Sequence, residues 1–194
     1  MNKTNMWIVL LLVAGICGFA YIEGYAKPIA KEKEARYEAE QKDPRTHDIS
    51  RTAKYRNGYM GDATNLSNLN HTLPYDGHGM TFQLYPDELT AELKFKVSSK
   101  EWEPAKLKAM LMYNSTANFV FIDNLQKLRM TFSDAEYTIE RKKVEAWYGE
   151  AEELSALRDG QRWKEDVQGR IVDPAAVNAF YDQVVEAKGV AKRE

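Results

Sequence analysis

The 194-residue chain carries a formal net charge of −2 from interspersed acids and bases, and it holds one cysteine, Cys17. That balance excludes the basic surface that nucleic-acid binding needs. Cys17 lies in an apolar run, so the rest of the chain offers no disulfide, no cysteine nucleophile and no thiolate metal site.

Met6 to Ile22 is that run, without a charge or a proline. As a helix it reaches about 25 Å, a little short of the ~30 Å hydrocarbon core of a bilayer. Three readings are open. Its length and the terminal aromatics Trp7 and Tyr21 suit an uncleaved single span. Small residues in Gly24-Tyr25-Ala26 and Gly18-Phe19-Ala20 suit a cleavable signal segment. Ala14-Gly15-Ile16-Cys17 suits a lipoprotein signal, although Ile16 stands where a small residue is expected. Residues 1–26 are accordingly a membrane anchor or a signal segment. Lys27, Lys31, Lys33, Arg36 and Lys42 outweigh Lys3, which by the positive-inside rule places the following domain in the cytoplasm. The short start with a lone Lys is instead that of an exported chain. The expectation is a single-pass protein of the cell membrane with an extracytoplasmic domain.

Residues 27–50 read as a charged helical stalk. Pro28 to Asp43 is dominated by Ala, Glu, Lys and Arg, strong helix formers. Glu32 with Arg36 and Glu38 with Lys42 are acid-first pairs four apart. Pro28 suits a first helical turn and Pro44 a stop. Lacking a continuous apolar stripe, the segment should be solvated, as a spacer of about 20 Å at ~1.5 Å per residue or as a frayed linker.

Residues 51–149 read as a layered α+β domain. Asp62 is a natural helix cap, and Leu66, Leu69 and Leu73 share one helical face before Pro74. Tyr75 to Gly79 is a glycine-rich turn. Met80, Phe82 and Leu84 alternate with polar residues, and after Pro86-Asp87 the alternation resumes through Leu89, Ala91, Leu93, Phe95 and Val97. These are two strands with one buried and one wet face. A helix follows from about Pro104 to Asn124. Leu128, Met130 and Phe132, then Tyr137 and Ile139, form a hairpin, and Arg141 to Tyr148 is a helix ended by Gly149. The order of helix, two strands, helix, two strands and helix predicts an antiparallel sheet with helices on one face.

Residues 150–194 read as a helical extension. Glu150 to Arg158 is helical, and Trp163 to Val172 is strand or loop. Asp173-Pro174 starts a last helix, with Val177, Phe180, Tyr181, Val184 and Val185 on its apolar face and Gly189 as its stop.

Candidate sites are sparse. Tyr55, Tyr59, Tyr75 and Tyr85 flank the first domain helix and could line a peptide or glycan groove, or form the edge of the core. Asp62, His71, Asp76 and His78 could supply oxygen and imidazole ligands to a metal, but they read better as cap and turn residues. Ser98 with Glu101 fits a capping box, and no serine has a nucleophile-elbow setting. No catalytic residue, metal or cofactor is expected.

Tyr59-Met60-Gly61-Asp62, the Leu66/Leu69 helix with Leu73-Pro74, the hairpin from Leu128 to Ile139 and Trp147-Tyr148-Gly149 together resemble the DUF4825 family. The resemblance covers roughly Tyr55 to Gly149 and rests on turns, caps and core positions. It implies a domain of membrane-anchored or secreted bacterial proteins with a role in envelope sensing or regulation, and it brings no active site. The expected function is thus a non-catalytic binding or regulatory domain tethered to the membrane, whose partner is an envelope or membrane protein. The alternatives are an envelope hydrolase or metal-dependent enzyme, or a lipoprotein substrate-binding module held through Cys17.

Overall fold

The computed structural model describes residues 3–75 and 77–190, and the chain divides into two units, Met1–Glu40 and Gln41–Glu194. In the first unit, α1 (Lys3–Tyr21) continues through a π-helical turn (Ile22–Ala26) into α2 (Lys27–Gln41). Although the helix runs on from the π-helical turn without a break, Pro28 lies in the first turn of α2, as its residue type suggested. It has no N–H for the carbonyl of Gly24, and the ladder adjusts one turn earlier, where the Lys27 amide reaches Ile22 O. Arg36 pairs with Glu40 at 3.8 Å rather than with Glu32. The apolar side chains of α1 are bare: Leu11, Ile16 and Phe19 are 72%, 68% and 66% exposed. Among the described residues one helix, Met6–Gln41, is long and apolar enough to cross a membrane.

The second unit is built on a five-stranded sheet of order β1-β2-β3-β4-β5. Its strands are β1 (Met80–Tyr85), β2 (Thr90–Phe95), β3 (Lys127–Thr131), β4 (Ala135–Glu140) and β5 (Val185–Gly189). The class is α+β as expected, with two corrections. First, β2 and β3 are parallel, while the other neighbours are antiparallel. The cause is α5 (Pro104–Phe121), a crossover that returns the chain to the starting end of β2. Second, the last helix stops at Val184, and Val185–Gly189 is a strand on the outer edge of β4. The helix-forming sequence VEAKG gives way because pairing satisfies the edge of β4.

The period-two pattern sorts the sheet faces as read. Ala91, Leu93 and Phe95 register with Leu84, Phe82 and Met80 on one side, and Ala91 and Leu93 with Leu128 and Met130 on the other. These residues form the core face. Against it lies α5, buried from Met110 to Phe121 and packed among α3 (Ser50–Ala53), α4 (Ala63–Thr72), α7 (Ala151–Ala156), α9 (Gly169–Val172) and α10 (Pro174–Val184). A helix covered all round must satisfy its polar residues internally. Ser115 and Thr116 donate to Leu111 O and Met112 O at 2.6 and 2.8 Å. Asn118 and Asn70 exchange amide hydrogen bonds at 2.9 Å, and Asn114 donates to Pro74 O at 3.0 Å.

The C-terminal stretch is part of the same core. Leu154, Trp163, Val167, Ile171 and Phe180 are buried in it. Trp163 to Val172 is helical rather than strand or loop: a π-helical turn (Trp163–Gln168) joins α8 (Gly160–Arg162) to α9. Its apolar residues, Trp163, Val167 and Ile171, recur every four positions. Expected caps are in place at Asp62, at Ser98 with Glu101, and at Asp173.

Candidate binding surface

Among the described residues of the second unit, no helix covers the second face of the sheet. Register brings Gln83, Glu92, Arg129, Thr138 and Glu186 into one row across all five strands. Glu92 sits at its centre. It accepts from the Tyr85 hydroxyl and from Thr131 Oγ1, both at 2.8 Å, and pairs with Lys94 at 3.4 Å. Burial opposes ionisation of Glu92, but the Thr131 and Tyr85 hydrogen bonds and Lys94 outweigh it and leave the carboxyl below its usual pKa. Those bonds push the Tyr85 hydroxyl up, Glu92 being the main cause. The Arg129 guanidinium lies 5.7 Å from the Tyr85 ring centre, and its Nε stands 3.6 Å from Glu136. That Nε is buried and has no hydrogen-bond partner. The face is thus an array of paired charges around Glu92 and Arg129.

The four tyrosines singled out in the sequence do not form a groove. Tyr75 is buried (4% exposed) and donates to Asn70 at 2.7 Å; burial raises its hydroxyl pKa. Tyr55 packs on the core, with Lys54 over its ring at 4.9 Å. Tyr59 is 57% exposed on the turn before α4. Only Tyr85 belongs to the open sheet face. Nearness along the chain failed as a guide because helix α4 and the sheet point these residues different ways.

The metal candidates separate in the same manner. Asp62 caps α4 through the Asn65 amide at 2.9 Å. His71 is hydrogen-bonded to Ser67 O at 2.7 Å, and the His78 ring lies 4.8 Å from that of Trp102. Asp76 lies outside the described residues. Among the described residues no three His, Cys, Asp or Glu side chains cluster to hold a metal. A polar recess of about 130 Å³ is lined by Tyr148, Glu153, Leu157, Arg162, Asp166 and Arg170. Its charges are partnered, Arg162 with Glu153 at 2.7 Å and with Asp166 at 3.5 Å, and Arg170 over the Tyr148 ring.

The turn from Asn57 to Asp62 is docked on the end of α5. Met60 is fully buried, and its amide donates to Asn124 at 2.6 Å; the Asn57 and Asp123 amides bond with Phe121 O and Asn57 O. Gly61 leaves room for the Tyr59 ring, which a β-carbon there would strike. This turn, α4, the β2–α5–β3 crossover and the β3–β4 hairpin lie within residues 52–142, which match the family model described as "Domain of unknown function (DUF4825)". Residues 52–142 are thus similar to the DUF4825 family over a little under half of the chain. No curated protein and no solved structure matches the chain.

Several residues important to this DUF4825-like domain and its flanks gave no signal in the sequence. Arg141 donates Nε to Leu125 O at 2.6 Å and Nη2 to Phe119 O at 2.8 Å, and also reaches Ile122 O. Arg158, beyond the match, donates to Val120 O at 2.9 Å and pairs with Asp123. Two arginines therefore neutralise the carbonyl end of α5. His47 was read as part of a solvated stalk, yet it is buried, bonded to Tyr113 of α5 and to Thr72 of α4. Ile49 is buried beside it in sequence. A single His among charged residues has no periodicity to reveal it. Tyr113 also accepts from Trp163 at 3.1 Å, so both flanks of the family match meet on one phenol.

Proposed function

We propose that this chain is a non-catalytic binding domain, tethered to the cell membrane by α1 and displayed on the extracytoplasmic side, whose partner is another envelope or membrane protein. The observation that carries the reading is the uncovered sheet face, where Glu92, Lys94, Arg129 and Glu136 stand in fixed, mutually paired positions. Charges held on a rigid ladder suit selective recognition more than chemistry. Placement in a membrane is supported by an α1 whose apolar side chains find no cover in the protein. No observation favours the hydrolase or metal-enzyme alternative, since His71 and His78 are each engaged locally.

The test is photocrosslinking from Thr81 and Thr138 on the sheet face, in intact cells, combined with a topology reporter after Val190. A defined membrane or envelope protein should be captured, and Arg129→Ala should lose it while α1 still fractionates with membranes. A cytoplasmic reporter signal refutes the placement. Full activity of an untethered domain with no captured partner refutes the binding role.

A further inference from the structure

We infer that His47 is a proton-sensitive latch: neutral, it locks the segment Pro44–Asp48 onto the domain core, and one added proton releases it. The hydrogen-bond chain through His47 reads in only one direction. Nε2 lies 2.6 Å from Thr72 O, a carbonyl that can only accept, so Nε2 carries the ring proton. Nδ1 is then the acceptor and takes the Tyr113 hydroxyl proton at 2.8 Å. The Tyr113 oxygen accepts in turn from the Trp163 indole N–H, which can only donate, at 3.1 Å. Indole, phenol, imidazole and carbonyl thus form a chain fixed at both ends. A second ring proton has one place to go, Nδ1. There it faces the Tyr113 oxygen instead of receiving from it, and the hydroxyl proton loses its acceptor. The charge that results is buried, with His47 2% exposed.

The surroundings offer the imidazolium little. The residues facing the ring from α4 and α5 are Thr72 and Tyr113, with Trp163 behind Tyr113, and none is charged. On its own segment Asp48 favours the charged ring and Arg51, in α3, opposes it. Burial is the largest influence and holds the His47 pKa below the ordinary imidazole value, against the Thr72 carbonyl. The segment's tie to the C-terminal helices is an amide contact that does not titrate: Gln168 Nε2 donates to His47 O at 2.9 Å and to Pro44 O at 3.2 Å. On its own stretch two carboxylates take part, Asp43 paired with Arg45 at 2.6 Å and Asp48 accepting from the Ser50 amide at 3.0 Å, and the Asp43–Arg45 bond holds the Asp43 carboxyl below its usual pKa.

The sign follows from linkage. The docked ring has the lower pKa, so the released segment binds the proton more readily. Docking is therefore complete above the free value of 6.5 and weakens as pH falls from there toward the docked value, by up to about tenfold per pH unit for one proton. Release frees the link between the two units in the sequence, about 15 Å of chain at full extension.

The test uses the full chain in detergent micelles between pH 7.5 and 5. The His47 ring and the Trp163 indole N–H are followed by NMR, together with hydrogen exchange at the Thr46 and His47 amides, which both bond to Asp43 O. After correction for intrinsic rates, exchange should rise up to tenfold per pH unit in step with the His47 titration and the indole shift. His47→Gln should abolish that dependence. If His47→Gln does not fold, Tyr113→Phe serves: it removes the donor to Nδ1, so the ring should titrate, and exchange rise, at higher pH. Corrected exchange indifferent to pH, exchange that rises without titration of His47, or an unchanged response in either variant overturns the latch.

Discussion

Arg141 offers the sharpest test of how the DUF4825-like domain holds its central helix. Its guanidinium serves the carbonyls of Phe119, Ile122 and Leu125 at the end of α5, lies 5.4 Å from the Phe119 ring centre and pairs with Glu145 at 3.5 Å. The side chain is 12% exposed, so water cannot replace it freely when it is truncated. A hydrogen bond to a charged group is worth about 1.5–3 kcal/mol, and a cation at a partly buried helix C-terminus up to about 2 kcal/mol. These terms overlap, since the same bonds express the dipole, and some carbonyls will find water. Arg141→Ala should therefore cost about 3–5 kcal/mol, the range for losing one side of a buried charged network. That is a large share of a typical stability of about 5–15 kcal/mol.

The assay is urea denaturation of the full chain in micelles, followed by tryptophan fluorescence. With a slope of roughly 1–3 kcal/mol/M, the midpoint should fall by at least about 1 M. Arg141→Lys should recover only part of the loss, because an ammonium cannot span the same carbonyls with a planar fork. Raising the salt concentration should leave the loss largely intact, because buried charges are weakly screened. A cost below about 1 kcal/mol, or a lysine variant as stable as the parent, would show that water caps α5 equally well and refute the reasoning.

Three further outcomes follow from particular contacts. Cys17→Ala should leave the protein in the membrane fraction, whereas deleting residues 6–22 should release it; loss of membrane retention in Cys17→Ala would establish a lipid anchor instead. Gly61→Ala should cost about 1–2 kcal/mol through the Tyr59 ring, and far less in a Tyr59→Ala background; equal costs in both would place the strain elsewhere. Glu92, whose carboxyl pKa is depressed, stabilises the fold fully above 4.5, and this is lost as pH falls through the folded value. Glu92→Gln should thus cost about 1 kcal/mol at pH 7, two charged hydrogen bonds discounted for screening, and progressively less as pH falls below 4.5. A cost that persists undiminished in acid would contradict an ionised Glu92.

The alternation from Leu89 to Val97 and the run Leu128, Met130, Phe132 were legible because a half-buried strand must repeat every two residues. Caps at Asp62, Ser98 and Asp173 were legible because orphan amides need short polar side chains. The parallel pairing of β2 with β3 was not, since periodicity fixes faces and says nothing of neighbours. Strand β5 was hidden by Glu186, Ala187 and Lys188, which favour helix in isolation and yield to an unpaired strand edge. The polar interior of α5 was hidden as well: Asn114, Ser115, Thr116 and Asn118 carry no apolar signal, and only tertiary partners make them core. Of the candidate tyrosines, the one on the open sheet face, Tyr85, differs from Tyr75 solely by which element carries it, and that cannot be read from proximity in the chain.

The family match and the folding unit have different limits. A helix buried on every side needs more neighbours than one sheet face and the short helices of residues 52–142 provide. For α5 the remainder comes from α7, α9 and α10, all beyond the match, and Trp163 closes over Tyr113 and Phe121 with ring centres 5.1 and 6.1 Å away. Before the match, His47 closes the other end of the Tyr113 hydrogen-bond chain. The DUF4825 pattern of turn, crossover and hairpin therefore supplies the frame of the unit, while its interior is completed by two flanks that meet on one phenol. Since the N-terminal flank is also the stretch that follows α1 and α2 in the sequence, whatever loosens His47 acts on the core at the point where the second unit begins.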